Sequence, residues 1–390
     1  MNKLWSGGRL ALLFIVVTVF LTGCVGVGGG VDSGWTALTI DGSSLYAVRS
    51  TGEAVALDLA DSGSLIWKYP LVAAASSAPG CGILQSPGSA TEESLALGAV
   101  YGTPAVSDGL MVFGSSEAKL IALDADTGDP AWSYPVDAAV VGGVAVADGV
   151  AYLGTVSGKI YAVDLATHES AWPGPFVTGD RVWSTPVVNG SKLYVASMDH
   201  LLYAIDRKTG DSVWSVDLGG AIQGEIALYG DLLLAGGVDR RLYAIDASSG
   251  TQLWKTEQLT GWVWGAPLLS GDSVYFTTLD GKVHGHRADN GQVLWSPVVL
   301  KGSISAGPVQ AGESILVGTD EGLVYLIGTS AGRADVVYGS VQEQQRGGYS
   351  SAPAVQDDIV YLGSTMGFIV ALDPALRTPE LWVYPSSSAE

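Results

Sequence analysis

The sequence predicts an all-β fold, an eight-bladed β-propeller of four-stranded antiparallel blades, and three observations carry that expectation. A block ending in Trp returns along the chain in eight copies, one of which has lost its Trp. Each copy is preceded by an apolar stretch and a turn, so one unit holds four short strands. No segment shows the 3.6-residue periodicity of an amphipathic helix. Composition agrees: 53 of 390 residues are Gly, about twice the usual share of ~7%. Charged residues make up 15%, and Trp (12) and Tyr (16) far outnumber Phe (6).

The repeat is clearest as LYVASMDHLLYAIDRKTGDSVW at 193–214. Copies of the same length lie at 111–132, 151–172, 233–254 and 274–295, and copies one residue longer at 45–67 and 360–382. A worn copy without the Trp starts at Ile315. Starts are 40–45 residues apart except after the first copy, where the spacing is 66. Four strands per repeat of about 40 residues is the signature of a propeller blade. The strands are named A (around TPAVSDG, STPVVNG or GAPLLSG), B, C and D in chain order.

The corner between C and D explains the repeat. Asp58, Asp124, Asp164, Asp206, Asp246 and Asp373 can accept hydrogen bonds from the turn backbone, and the Gly that usually follows can take φ > 0. The Trp beyond it, at 67, 132, 172, 214, 254, 295 and 382, is expected to cover the corner of a neighbouring blade. Removing such a ring should cost about 3–5 kcal/mol. These seven Trp are therefore read as structural docking residues.

The pattern Ala-x-Asp-x-x-Thr-Gly-x-x-x-Trp resembles the tryptophan-docking repeat of the pyrroloquinoline-quinone (PQQ)-type propellers, over residues 35–384. The single domain and the N-terminal motif below look most like the BamB-type lipoproteins. That resemblance implies a scaffold for other envelope proteins in outer-membrane protein assembly, monomeric within a complex. The same repeat occurs in PQQ-dependent dehydrogenases, so an enzyme or a small-ligand binder using the channel mouth is the alternative. Those enzymes commonly hold calcium with acidic and amide side chains, and many carry a vicinal disulfide. This chain has no vicinal cysteines, and no calcium set can be matched residue by residue. The expectation is no PQQ, no calcium and no catalytic residues.

The N-terminus predicts export. Residues 1–23 carry Lys3 and Arg9, no acid, and a 12-residue apolar run, Leu10–Leu21, shorter than the ~20 residues a span needs. The run ends in Leu21-Thr22-Gly23-Cys24, which resembles the lipobox of bacterial lipoproteins. The resemblance implies cleavage before Cys24 and its acylation, which would tether the chain to a membrane of the cell envelope. Val25 in place of Asp is compatible with sorting to an outer membrane. The expected organisation is a signal peptide at 1–23, lipidated Cys24 and a Gly-rich tether to residue 34, the propeller at 35–384 with an insertion at 70–101, and a tail at 385–390. Only Cys81 remains besides Cys24, so no disulfide is expected within the fold.

Formal charge is −20, and loss of Lys3 and Arg9 with residues 1–23 takes it to −22. Such a surface repels phosphate backbones, which excludes nucleic acid as a partner. His284 and His286, two apart on strand C, share one face and have spacing a metal would accept. They also stand where blade faces pack, so substituted core positions are the expectation and no metal is assigned.

Meander topology puts the D-to-A and B-to-C loops on one face, together with the long insertion and Gln342–Tyr349. Alignment on the strand-A Pro places Trp35, Tyr101, Val141, Trp183, Gln223, Trp264, Ser305 and Ser350 around the mouth of the channel, with Trp262 and Tyr349 beside them. Arg181, Arg240, Arg241 and Arg346 are nearby cations in an acidic chain. Either the aromatics form a binding surface or they pack inward between blades. The candidate partner face is Trp183, Trp262, Trp264, Arg181, Arg240 and Arg241.

Overall fold

The structure is a computed structural model and describes residues 35–69 and 97–386. The expected signal peptide, Cys24, the tether, Cys81, residues 70–96 of the expected insertion and residues 387–390 lie outside the described residues. Eight four-stranded antiparallel sheets form, each from four consecutive strands. The first blade is Ala37–Asp41, Ser44–Val48, Ala54–Asp58 and Ser64–Tyr69. The eighth is Ala354–Gln356, Ile359–Gly363, Ile369–Leu372 and Glu380–Tyr384. The one helix among the described residues is a single turn, Val341–Gln344, in the loop between blades 7 and 8.

Burial follows from the radial arrangement. Strands B and C lie between two neighbouring blades, so they are apolar on both faces. Lys192–Ala196 and Leu201–Asp206 are buried nearly throughout. Strand D is outermost and alternates: Ser212–Asp217 has exposed residues at every second position. The C–D ladder shifts register after Ala204, which pairs with Trp214, and the same shift follows Ala56, Ala122, Ala244 and Ala371. The small Ala leaves room for the ring beside it.

Each docking Trp reaches the C–D corner of the following blade. The indole N–H of Trp67 donates to Ala125 O at 2.7 Å, Trp172 to Arg207 O at 2.8 Å, Trp254 to Ala288 O at 2.8 Å and Trp295 to Thr329 O at 3.1 Å. The ring lies over the turn Gly: a Cβ on Gly210 would fall 2.8 Å from Trp172. That Gly also sits at φ +78°, so two independent reasons exclude a side chain there. The repeat Asp organises the turn; Asp124 accepts from the N–H groups of Asp126 and Thr127 at 3.0 and 2.8 Å.

No strand passes from one blade to another, so side chains close the ring. Trp382 of blade 8 lies over Gly63 of blade 1. Thr36 Oγ1 donates to Ser364 O at 2.8 Å, and Ser351 Oγ to Thr36 O at 2.6 Å.

Strand D is expected to end at the Trp, but in blades 1, 2, 4, 5 and 8 it runs one to three residues past it, and two blades depart further. In blades 3 and 6 strand D is only Phe176–Val177 and Val298–Val299, beyond Trp172 and Trp295. Phe176, four past Trp172, pairs with Ile160, whereas in blade 4 Val216, two past Trp214, pairs with Leu202. The extra residues carry Pro173, Pro175 and Pro297, which cannot donate to the ladder, so regular pairing resumes only beyond them. In blade 7 Leu326 pairs with Asp335 where other blades pair Ala with Trp.

Candidate functional site

The inner ends of the eight A strands converge on the axis and enclose a cavity of about 340 Å³. All eight residues aligned on the strand-A Pro line it: Trp35, Tyr101, Val141, Trp183, Gln223, Trp264, Ser305 and Ser350. The approach of the strands is set by glycine. A Cβ on Gly102 would fall 2.2 Å from Gly142 O, and one on Gly265 would fall 2.1 Å from Gly307 N.

The aromatics form two pairs. Trp183 and Trp264 lean together across Gln223 with centroids 6.4 Å apart and planes at 56°. Trp35 meets Tyr101 edge to face at 5.7 Å. All four are half-buried, lining the channel as well as touching a neighbouring ring. The Trp183 indole N–H is buried without a hydrogen-bond partner.

A polar relay lies beside them. Gly143 N–H donates to Thr185 Oγ1 at 2.9 Å. Thr185 in turn donates to Glu225 through its backbone N–H at 2.9 Å and its hydroxyl at 3.0 Å. Desolvation raises the Glu225 pKa above the usual carboxylate value, although both hydrogen bonds from Thr185 favour the ionised form. Among the described residues lining the cavity, Glu225 is the single charged side chain; no Lys or Arg is present. Sequence reasoning missed Thr185 and Glu225. The same alignment held the signal, since each lies two residues past a ring position, and Ile226 replaces the strand-A Pro there.

The other candidate residues spread over the face. Trp262 is 44% exposed and Arg181 is exposed. Their carbonyls accept from Leu279 N–H at 3.0 Å and Met198 N–H at 2.9 Å, so the D-to-A and B-to-C loops do share one face. Arg240 sits in a B-to-C turn at φ +66°. Arg241 is held: it donates to Thr256 O at 2.6 Å and lies 3.8 Å from Asp239. Tyr349 is 1% exposed and packs with Leu316, Val360 and Leu362. Its place beside the channel mouth is therefore corrected: it is core. Arg346 is bound to Glu380 and to the Tyr338 hydroxyl, so it too is occupied.

His284 and His286 are buried and line a second cleft, about 610 Å³, between blades 5 and 6, with Lys255, Glu257 and Lys282. Both imidazoles pack on Phe276, at centroid distances of 4.9 and 5.1 Å. Burial pushes the His284 pKa down to about 4, with His286 adding to the shift, and lowers that of His286. Among the described residues no group of three His, Cys, Asp or Glu could hold a metal. Both are buried on strand C.

The family described as outer membrane protein assembly factor BamB matches residues 85–174 and 175–376. No curated protein matches. Among solved structures, BamB from Moraxella catarrhalis superposes with a TM-score of 0.68 at 20% identity, covering 86% of this chain and 92% of its own. The computationally designed Ika8 protein superposes with a TM-score of 0.70 at 17% identity, covering 88% and 97%. Likeness at this identity to both a natural and a designed protein lies in blade packing, and shows the fold alone.

Proposed function

Because the chain belongs to the family of the outer membrane protein assembly factor BamB, we propose that it is a non-catalytic scaffold that binds other envelope proteins during outer-membrane protein assembly. Acylated Cys24 would hold it outside the cytoplasm on a membrane, the outer one where the host has one. The observation that carries the reading is that Trp183, Trp262, Trp264 and Arg181 lie on one face, Trp262 and Arg181 exposed there. The opposite face carries short C-to-D turns. Trp and Arg are the residues that most often dominate interface energy. The channel lining supports a scaffold over a quinone enzyme. A PQQ molecule is anionic, and the lining offers it Glu225 and neither Lys nor Arg.

The test is crosslinking in the native envelope followed by identification of captured proteins. Trp262 and Arg181 are the residues to change, because they are exposed and Arg241 is committed to the fold. Trp262→Ala with Arg181→Ala should lose partner capture and melt as the wild type does. A double variant that still captures every wild-type partner would overturn the assignment of this face.

A further inference from the structure

We propose that the channel mouth is a binding site for a small organic cation of the quaternary-ammonium type, caged by Trp183 and Trp264 and neutralised by Glu225. The inference needs only the chain and its ligand, and so does not rest on the scaffold reading.

Size comes first. A cavity of about 340 Å³ falls in the range of small-molecule sites, roughly 300–1,000 Å³. Its walls are aromatic on two sides: Trp183 with Trp264, and Trp35 with Tyr101. All four rings border the cavity, and the face of an aromatic ring is its electron-rich side. A cation within about 6 Å of such a face is attracted by the ring quadrupole, and quaternary ammonium groups are the cations most suited to it.

Charge selects the sign. The lining holds one carboxyl and no cation among its described residues, so an anion would be repelled and left unpaired. Glu225 is in the opposite position. It is desolvated and meets only donors from Thr185, so a bound cation would supply the counter-charge the channel itself lacks.

The apolar walls favour the methylated form. A primary ammonium or a guanidinium brings three to five N–H donors that all need acceptors. Apart from a few hydroxyls and the Gln223 amide, the walls that would have to accept them are apolar. A methylated nitrogen has no N–H donors, and its methyl shell matches the apolar walls.

The experiment is calorimetric titration of the full chain, purified in a non-ionic detergent, with choline and with its uncharged carbon isostere dimethylbutanol. Choline should bind, and the isostere should bind roughly tenfold more weakly or worse. Trp264→Ala and the isosteric Glu225→Gln should each weaken choline binding. Glu225→Gln keeps the test valid if loss of a Trp disturbs the channel. Glycerophosphocholine as a third titrant separates sources: tighter binding than choline marks a lipid headgroup, weaker binding a free solute. Absence of choline binding, equal binding of the neutral isostere, or choline affinity unchanged in Glu225→Gln would each overturn the proposal.

Discussion

The imidazole of His168 stacks on the indole of Trp132, with ring centroids 4.8 Å apart and planes 28° from parallel. Other docking Trp lie over a turn Gly, but blade 3 has His at that corner, at φ +59°. A non-Gly residue in this region costs about 1–2 kcal/mol, and an aromatic pair returns about 0.5–1.5 kcal/mol. His168→Ala keeps the strain and loses the stack, so it should be less stable than the wild type by about 1 kcal/mol. His168→Gly loses both and should be close to neutral. Denaturant midpoints of the two variants check this; no loss in His168→Ala would show that the stack contributes nothing, and equal losses in the two would show that the backbone strain contributes nothing.

Blade 7 should open most easily. It pairs Leu326 with Asp335 in place of an Ala–Trp pair, and relies instead on Arg346, Glu380 and the Tyr338 hydroxyl at its boundary with blade 8. Local opening is favoured where buried apolar contacts are fewer. Amide hydrogen exchange of Arg333–Tyr338 should be faster than that of Ser212–Asp217. Equal or slower exchange contradicts the argument.

His284 should make the protein acid-sensitive. An unfolded histidine takes up its proton near pH 6.5, whereas burial holds the folded group near pH 4. Its contribution is present above about pH 6.5 and is lost as pH falls toward 4, by up to about 3 kcal/mol in all. Tyr203 and Tyr243 occupy the same strand position in blades 4 and 5 and donate to Asp199 and Asp239 at 2.6 and 2.5 Å. His284→Tyr removes the titrating group and places a hydroxyl near Asp280, which occupies the corresponding turn. The stability gap between variant and wild type should widen between pH 6.5 and 4. A gap independent of pH would show that His284 does not titrate with folding.

Cys24→Ser should release the protein from membranes or leave the precursor uncleaved. Fractionation and gel mobility distinguish the outcomes. A variant that fractionates and migrates as the wild type does removes the lipid anchor from the functional reading.

The ring of eight residues at the channel was legible because a propeller converts a linear repeat into rotational symmetry: one aligned position becomes one circle. The docking Trp were legible for the same reason. What broke the repeat was harder to read. Pro173, Pro175 and Pro297 shorten strand D and delay its pairing, and the sequence spacing up to each Trp shows nothing of it. Tyr349 follows the helical turn Val341–Gln344, and its side chain packs into the core among Leu316, Val360 and Leu362. Arg241 and Arg346 looked like free cations because their partners, Thr256 O and Glu380, come from outside the motif. Backbone acceptors and single acids on other blades have no periodicity to reveal them.

A ring built from complete blades has no intrinsic starting point. Since Trp382 meets Gly63 as other docking Trp meet the corner of the blade ahead, the junction of the two ends is equivalent to any other junction in the circle. Circular permutation should therefore be tolerated. A chain opened between Ala138 and Ala139, ahead of the channel residue Val141, with Pro385 joined to Trp35 by a linker of similar length, should assemble the same eight blades in the same order. The exposed ends would then emerge between blades 2 and 3, which would move a membrane tether around the propeller while leaving the channel and its aromatic walls in place.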